Sequence, residues 1–182
     1  MMKTLIVHES MFGNTRAVAE AIKRGLSRGR GPDPVHVRDG EPTDRVRLMR
    51  ADDAPGVIPE DVSLLILGGP THAFSMTRAS TRKDAETKGA NEHTRQGIRE
   101  WIEAVVPRPE LPVITFDTRV KVKLMPGSAA KAAAKALRDR GFHRAERGET
   151  FWVQDTDGPL EDGELERAEE WGRDLSQHVT PV

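Results

Sequence analysis

The 182-residue chain contains no cysteine. That absence excludes disulfides, thiolate nucleophiles, iron–sulfur clusters and cysteine-type zinc sites, so any redox chemistry has to be carried by a bound cofactor. Tyrosine is absent as well, and aromatic residues make up only 4% of the chain. Neither sign of charge dominates: 28 Lys and Arg against 29 Asp and Glu leave a net charge of -1. No global field therefore favours nucleic acid or a membrane surface. The N-terminal apolar run is only Leu5 to Val7, far short of a signal-peptide core or a membrane span, and a soluble cytoplasmic protein is expected. The six histidines, at positions 8, 36, 72, 93, 143 and 178, show no metal-ligand spacing. The length fits one domain, residues 1–182, able to bury a sizeable core.

What is present is an alternation of short apolar runs and helical patterns. Leu5–Val7 reads as a first strand. A helix from about Asn14 to Ser27 follows, with Val18, Ala21, Ile22 and Leu26 on one face. Gly29–Pro34 breaks the chain. Either "VHVRD" or "RVRLMR" can serve as the second strand, and the latter is preferred. "VSLLILGG" is a continuous apolar run that fits a strand buried on both faces. Thr71–Ala90 is polar and without clear period, yet too long for a plain connection. Ile98, Trp101, Ile102 and Val105 mark a helix, "LPVITFD" a fourth strand, and Ser128 caps an alanine-rich helix that ends at Gly141. "ETFWVQ" reads as a fifth strand, and Leu165, Ala168, Gly172, Leu175 and Val179 line a last helix on which Trp171 can pack against the sheet. Strands and helices in this order argue an α/β fold with a parallel sheet covered on both faces.

Ligands of such sheets bind beyond the carboxyl ends of the strands. That rule selects Glu9–Thr15, Gly68–Phe74 and Asp117–Pro126. In "SMFGNT" the following helix starts as the loop ends, and amides at a helix start are unpaired and attract anions. Ser10, Asn14 and Thr15 add side-chain donors, and Gly13 lets the backbone turn close to a ligand. Taken alone, this loop fits ordinary helix capping as well as anion binding. A P-loop is excluded because no Gly-Lys-Ser/Thr occurs here, and a dinucleotide fingerprint because three spaced glycines are lacking. His8 is expected below this loop.

Two of these loops together resemble a family. "SMFGNTRAVAEAI" is similar to the Ser/Thr-x-Thr-Gly-Asn-Thr loop of flavodoxin-like proteins, and "LGGPTHAF" to their Gly-x-Pro-Thr loop followed by an aromatic. The resemblance implies a three-layer α/β/α sandwich around a five-stranded parallel sheet of order 2-1-3-4-5, with FMN as cofactor. Position by position, Ser10, Met11, Phe12, Gly13, Asn14 and Thr15 would wrap the FMN phosphate. Pro70, Thr71, His72, Ala73 and Phe74 would border the isoalloxazine ring, with Phe74 the better stacking candidate and His72 in the place of a frequent tryptophan. Asp117, Thr118 and Arg119 would start the third flavin loop.

"DTRVKVKLMPG" carries no aromatic where the family often has a tyrosine. One flavin face is then open to a substrate, or Trp152 or Met125 folds over it, or flavin binding is weak. Arg119, Lys121 and Lys123 fall on one side of an extended segment. Together with Arg78, Arg82, Lys83 and Lys88 they would make a basic rim that attracts an anionic partner or substrate. The resemblance implies an electron carrier working between redox partner proteins. An NAD(P)H-dependent quinone or small-molecule reductase on the same scaffold, and a flavin-free binding or regulatory module, are the alternatives.

Overall fold

The structure is a computed structural model that describes residues 3–29, 45–122 and 126–178. The alternative strand "VHVRD", the residues Lys123 and Met125, and Val179 of the last helix lie outside the described residues. The elements run β1 (Lys3–His8), α1 (Asn14–Arg28), β2 (Val46–Arg50), β3 (Val62–Pro70), α2 (Ala79–Thr87), α3 (Ile98–Ala104), β4 (Val113–Val120), α4 (Ala129–Arg140), β5 (Ala145–Val153) and α5 (Glu164–His178). All strand pairs are parallel, and the order is β2-β1-β3-β4-β5. The chain moves from β1 to one side for β2 and to the other for β3, so the winding switches between β1 and β3.

Alternation along the strands divides the core in two. Leu5, Val7, Leu65, Leu67 and Val113 face α3 and α4, where they meet Ile98, Trp101, Ala133 and Leu137. Ile6, Leu64, Ile66, Phe116 and Phe151 face α1 and α5, where they meet Val18, Ile22, Leu26 and Ala168. Trp171 packs on this second face, its ring edge-on to Phe116 at 6.4 Å between centroids, with Phe151 at 6.0 Å. Helices α1 and α5 approach so closely that a Cβ on Gly25 would stand 2.0 Å from the Glu169 carbonyl oxygen, and one on Gly172 would stand 2.4 Å from that of Ile22. The glycines are what allow the two backbones to touch.

Several boundaries differ from expectation. β4 continues three residues beyond "LPVITFD", to Val120, and β5 begins at Ala145 rather than Glu149. The polar stretch 71–90 contains α2, whose inward residues are Arg82 and Ala85. A helix that buries an arginine leaves no apolar stripe to read. Among the described residues no helix is long and apolar enough to cross a membrane.

Candidate functional site

Glu9, just past the end of β1, and Asp117, within β4, each carry a carboxylate, and the alternation sends both away from the α1 side. Glu9 follows Leu5 and Val7 onto the α3 face. There it accepts hydrogen bonds from the Thr77 hydroxyl and from the Ile98 amide at 2.9 Å, with Arg82 3.9 Å away. Arg82 in turn grips Glu100 at 2.9 Å. Burial pushes the Glu9 carboxyl up in pKa against the pull of these donors. Arg82, expected on a basic rim, is thus an inward, paired residue only 5% exposed.

Asp117 behaves in the same way on β4. It is fully buried and accepts from the Thr71 hydroxyl (3.0 Å), the Ser128 hydroxyl (2.5 Å), the Ala130 amide (3.0 Å) and the Thr150 hydroxyl (2.7 Å). It therefore ties the ends of β3 and β5 to the first turn of α4, and does not enter the third loop as a ligand group. Ser128 caps α4 as expected, accepting from the Lys131 amide at 3.1 Å.

The neighbouring residues of opposite parity, His8 and Thr118, turn to the α1 face. His8 is buried, its Nδ1 has no partner, and its pKa is lowered to about 4 by burial and by the nearby charges of Arg50 and Arg16. It is a neutral imidazole beneath the first loop. The Thr118 hydroxyl lies 2.8 Å from that of Thr15, in the first turn of α1.

Between these elements lies an open cleft. It spans about 400 Å³ with open solvent included, and is lined by Ser10, Met11, Phe12, Asn14, Thr15, Pro70, Thr71, His72, Thr118, Arg119, Val120, Val153 and Thr156. Among the described residues no carboxylate lines it. Gly13 sits at the start of α1 with φ 86°, a conformation that favours glycine, and its amide donates to Ser10 Oγ at 3.1 Å. The first intrahelical bond runs from Ala17 to the Gly13 carbonyl. The amides of Asn14, Thr15 and Arg16 precede it and have no acceptor within the helix. Met11 is buried, and its carbonyl receives the amides of Asn91 (3.1 Å) and Glu92 (3.0 Å). Glu92 also forms an ion pair with Arg16 at 3.0 Å, which keeps that guanidinium off the cleft lining. The Asn14 amide group, expected to face an anion, donates to the Asp157 carbonyl at 3.2 Å and thereby fastens the β5–α5 loop.

The second loop is shaped by its neighbours. Added Cβ atoms would stand 2.1 Å from the Phe116 ring at Gly68 and 2.8 Å from Ile98 at Gly69, so the two glycines let both core faces close up under the loop. His72 and Ser75 then exchange backbone hydrogen bonds at 2.9 and 3.0 Å around Ala73 and Phe74. Both central residues have positive φ, 46° and 70°, the mark of a type I′ turn built here without glycine. The turn directs Phe74 outward, 52% exposed, and the ring does not line the cleft. Gly127 lies against the Phe74 backbone, where a Cβ would be 2.3 Å from its carbonyl oxygen. Burial, and then the charge of Lys88, lower the His72 pKa.

In the third loop, Arg119 donates to the Gly127 carbonyl, and its guanidinium stands 5.3 Å from the centre of the Trp152 ring, with Lys121 at 5.8 Å. Trp152 thus lies under two cations and does not line the cleft, while Val153 beside it does. Of the expected site residues, Gly13, Ala73, Phe74 and Asp117 are not on the lining; Val120, Val153 and Thr156 are additional. Thr156 could have been found from the rule that ligands meet strand carboxyl ends, since it lies in the loop three residues past β5. Among the described residues no cluster of three or more His, Asp or Glu is placed to hold a metal ion.

No protein-family model matches the sequence, and no curated protein does. Solved structures do match. Flavodoxin 1 from Bacillus cereus is 16% identical, with 98% of this chain and 99% of that chain covered and a TM-score of 0.63. A flavodoxin from the domain Archaea is 17% identical, with 98% and 99% covered and a TM-score of 0.59. Rubredoxin oxygen:oxidoreductase from Desulfovibrio gigas is 14% identical; 96% of this chain aligns with 35% of that one at a TM-score of 0.57. Together with the 2-1-3-4-5 parallel sheet, these matches show that the chain has the flavodoxin-like α/β fold.

Proposed function

We propose that the cleft binds FMN and that the protein carries electrons between redox partner proteins through that flavin. The observation that supports this most is the charge and donor balance of the cleft. It opens at the winding switch, is lined by Ser10, Thr15, Thr118 and Arg119, and excludes the carboxylates of Glu9 and Asp117. A phosphate dianion needs donors and no competing negative charge, and the α1 end supplies both. Ser10, Thr15 and the first amides of α1 would hold the phosphate. Pro70, Thr71 and His72 would border the ring, with His72 kept neutral by burial. Bound there, FMN supplies one- and two-electron transfer, while the chain positions it and excludes water from one side.

A reductase acting on a quinone or small anionic substrate with NAD(P)H is the second reading, favoured by one observation. Neither Phe74 nor Trp152 lines the cleft, and among the described residues the only aromatic rings on its lining are those of Phe12 and His72. Titration of the purified protein with FMN, followed by flavin absorbance and fluorescence, tests the main reading. Saturable binding is expected; a protein that leaves FMN fluorescence unchanged at all concentrations would end it. Rapid bleaching of the bound flavin by NADPH alone would favour the reductase.

A further inference from the structure

We infer that Thr118, on β4, is a positioning residue of an oxyanion site: its hydroxyl aims the Thr15 proton into the cleft and so makes the site select a phosphate-bearing ligand. The oxyanion preference stands on the hydroxyls themselves, while the choice of flavin as the carrier of that oxyanion rests on the reading above.

Thr15 and Thr118 are 2% and 4% exposed, both line the cleft, and their hydroxyls are 2.8 Å apart. Each hydroxyl has one proton and can accept as well as donate. The bond between them uses one of the two protons. The other has no acceptor on the protein among the described residues, whichever way the pair is arranged. Ser10 Oγ is in the same position, because it accepts from the Gly13 amide and keeps its own proton to give. Two uncommitted hydroxyl protons on one lining call for a ligand that only accepts, and an oxyanion is such a ligand.

Either hydroxyl could donate within the pair, and the inferred direction is the one that leaves the free proton beside the first-turn amides of α1. Thr15 belongs to the first turn of α1, next to the unpaired amides, whereas Thr118 is set back on the sheet. With Thr118 donating to Thr15, the Thr15 proton is the one left for the ligand, and a hydroxyl that accepts a bond donates more strongly. Thr118 is well placed to hold this arrangement. Its side chain is β-branched and stiff at χ1. Its carbonyl accepts from the Thr71 amide at 2.9 Å, and Asp117, its neighbour in the chain, is fastened on the opposite face by four donors.

The test uses the full chain with Thr118→Val and Thr118→Ser, and FMN, riboflavin and inorganic phosphate as probes. Thr118→Val is expected to weaken FMN binding about tenfold, to change riboflavin binding by less than about twofold, and to abolish the rise in melting temperature caused by inorganic phosphate. Thr118→Ser is expected to keep both FMN binding and the phosphate-induced rise in melting temperature. If FMN and riboflavin weaken equally, or phosphate stabilises Thr118→Val as it does the parent, the proposal is overturned. Should the parent bind neither flavin while phosphate stabilises it and not Thr118→Val, the oxyanion site stands and the flavin reading falls. A parent that responds to neither FMN nor phosphate overturns both.

Discussion

At its α1 end the cleft is cross-linked from several directions, whereas at its β3–β4 end the rim is a turn bonded chiefly to itself. The first loop is held by the Ser10–Gly13 bond, by two amides on the Met11 carbonyl, by Asn14 on the Asp157 carbonyl and by the Thr15–Thr118 pair. These ties come from three separate parts of the chain, so loosening any one leaves the others in place. The turn from His72 to Ser75 has two backbone bonds of its own and a glycine behind it, and it keeps two non-glycine residues at positive φ. Ordered donors suit the end that would recognise a compact charged group, where a misplacement of fractions of an ångström costs binding. A self-contained turn suits the end that would meet a flat ring, because it can rearrange without disturbing the sheet.

The comparison is broken most severely at Asp117, which ties the β3–β4 end to α4. Replacing Asp117 by Ala leaves the Thr71, Ser128 and Thr150 hydroxyls and the Ala130 amide without their acceptor. The expected loss is about 3–5 kcal/mol of stability, read from denaturant melts. A loss below about 1 kcal/mol would mean that these donors find other acceptors, and that the two ends are not tied to the scaffold in different ways.

Acid attacks the α1 end through His8. Its pKa in the folded protein, about 4, lies below the 6.5 of a solvated imidazole in the unfolded chain. The unfolded chain therefore takes up the proton first as pH falls. The His8 contribution is complete above pH 6.5 and is lost progressively as pH falls towards 4. The expected loss over that window is about 3 kcal/mol. Melts across this range check it, and His8→Gln should flatten the dependence.

Within the α1 end the two side chains expected to donate to a phosphate separate into different roles. Thr15→Val removes a hydroxyl that lines the cleft and is expected to weaken FMN binding by about 1.5–3 kcal/mol. Asn14→Ala releases the β5–α5 loop from the first loop and is expected to cost about 1 kcal/mol of affinity, with a comparable loss of stability. Fluorescence titrations of the two single variants compare them directly. Equal effects would return Asn14 to the direct contact that its motif position implies.

How much of this was legible in the sequence depends on whether the cause was local. The strands, α1 and α4 follow from apolar period, and the ends of α4 from Ser128 and Gly141, all short-range signals. The division between Glu9 and His8, and between Asp117 and Thr118, was open to the same reading, although the motif likeness grouped Asp117 with Thr118 in the third loop. Alternation along β1 and β4 puts Glu9 with Val7 and Asp117 with Val113, on the far face from α1. Helix α2 was not legible, because its inward residue Arg82 is bought inside by Glu9 and Glu100, residues distant in sequence. The outward Phe74 was not legible for another reason. Its apolar side chain argues for stacking, but its orientation is set by a backbone turn that motif likeness does not encode.

That turn gives the smallest effect and the sharpest separation of the two ends. The double replacement Ala73→Asn with Phe74→Gly writes in the residue pair that a type I′ turn prefers. It relieves two positive-φ side chains, so stability is expected to rise by about 1 kcal/mol even though an aromatic ring is lost. Because Phe74 is half exposed and off the cleft lining, its removal takes little buried area away. Flavin affinity decides what the turn is for. If FMN and riboflavin bind as they do to the parent, the outward Phe74 seen here persists in the complex and the ring is bordered by Pro70, Thr71 and His72 alone. If both flavins weaken by the same factor while the protein melts higher, the turn swings Phe74 onto the ring, and the strain at residues 73 and 74 belongs to binding rather than to the fold.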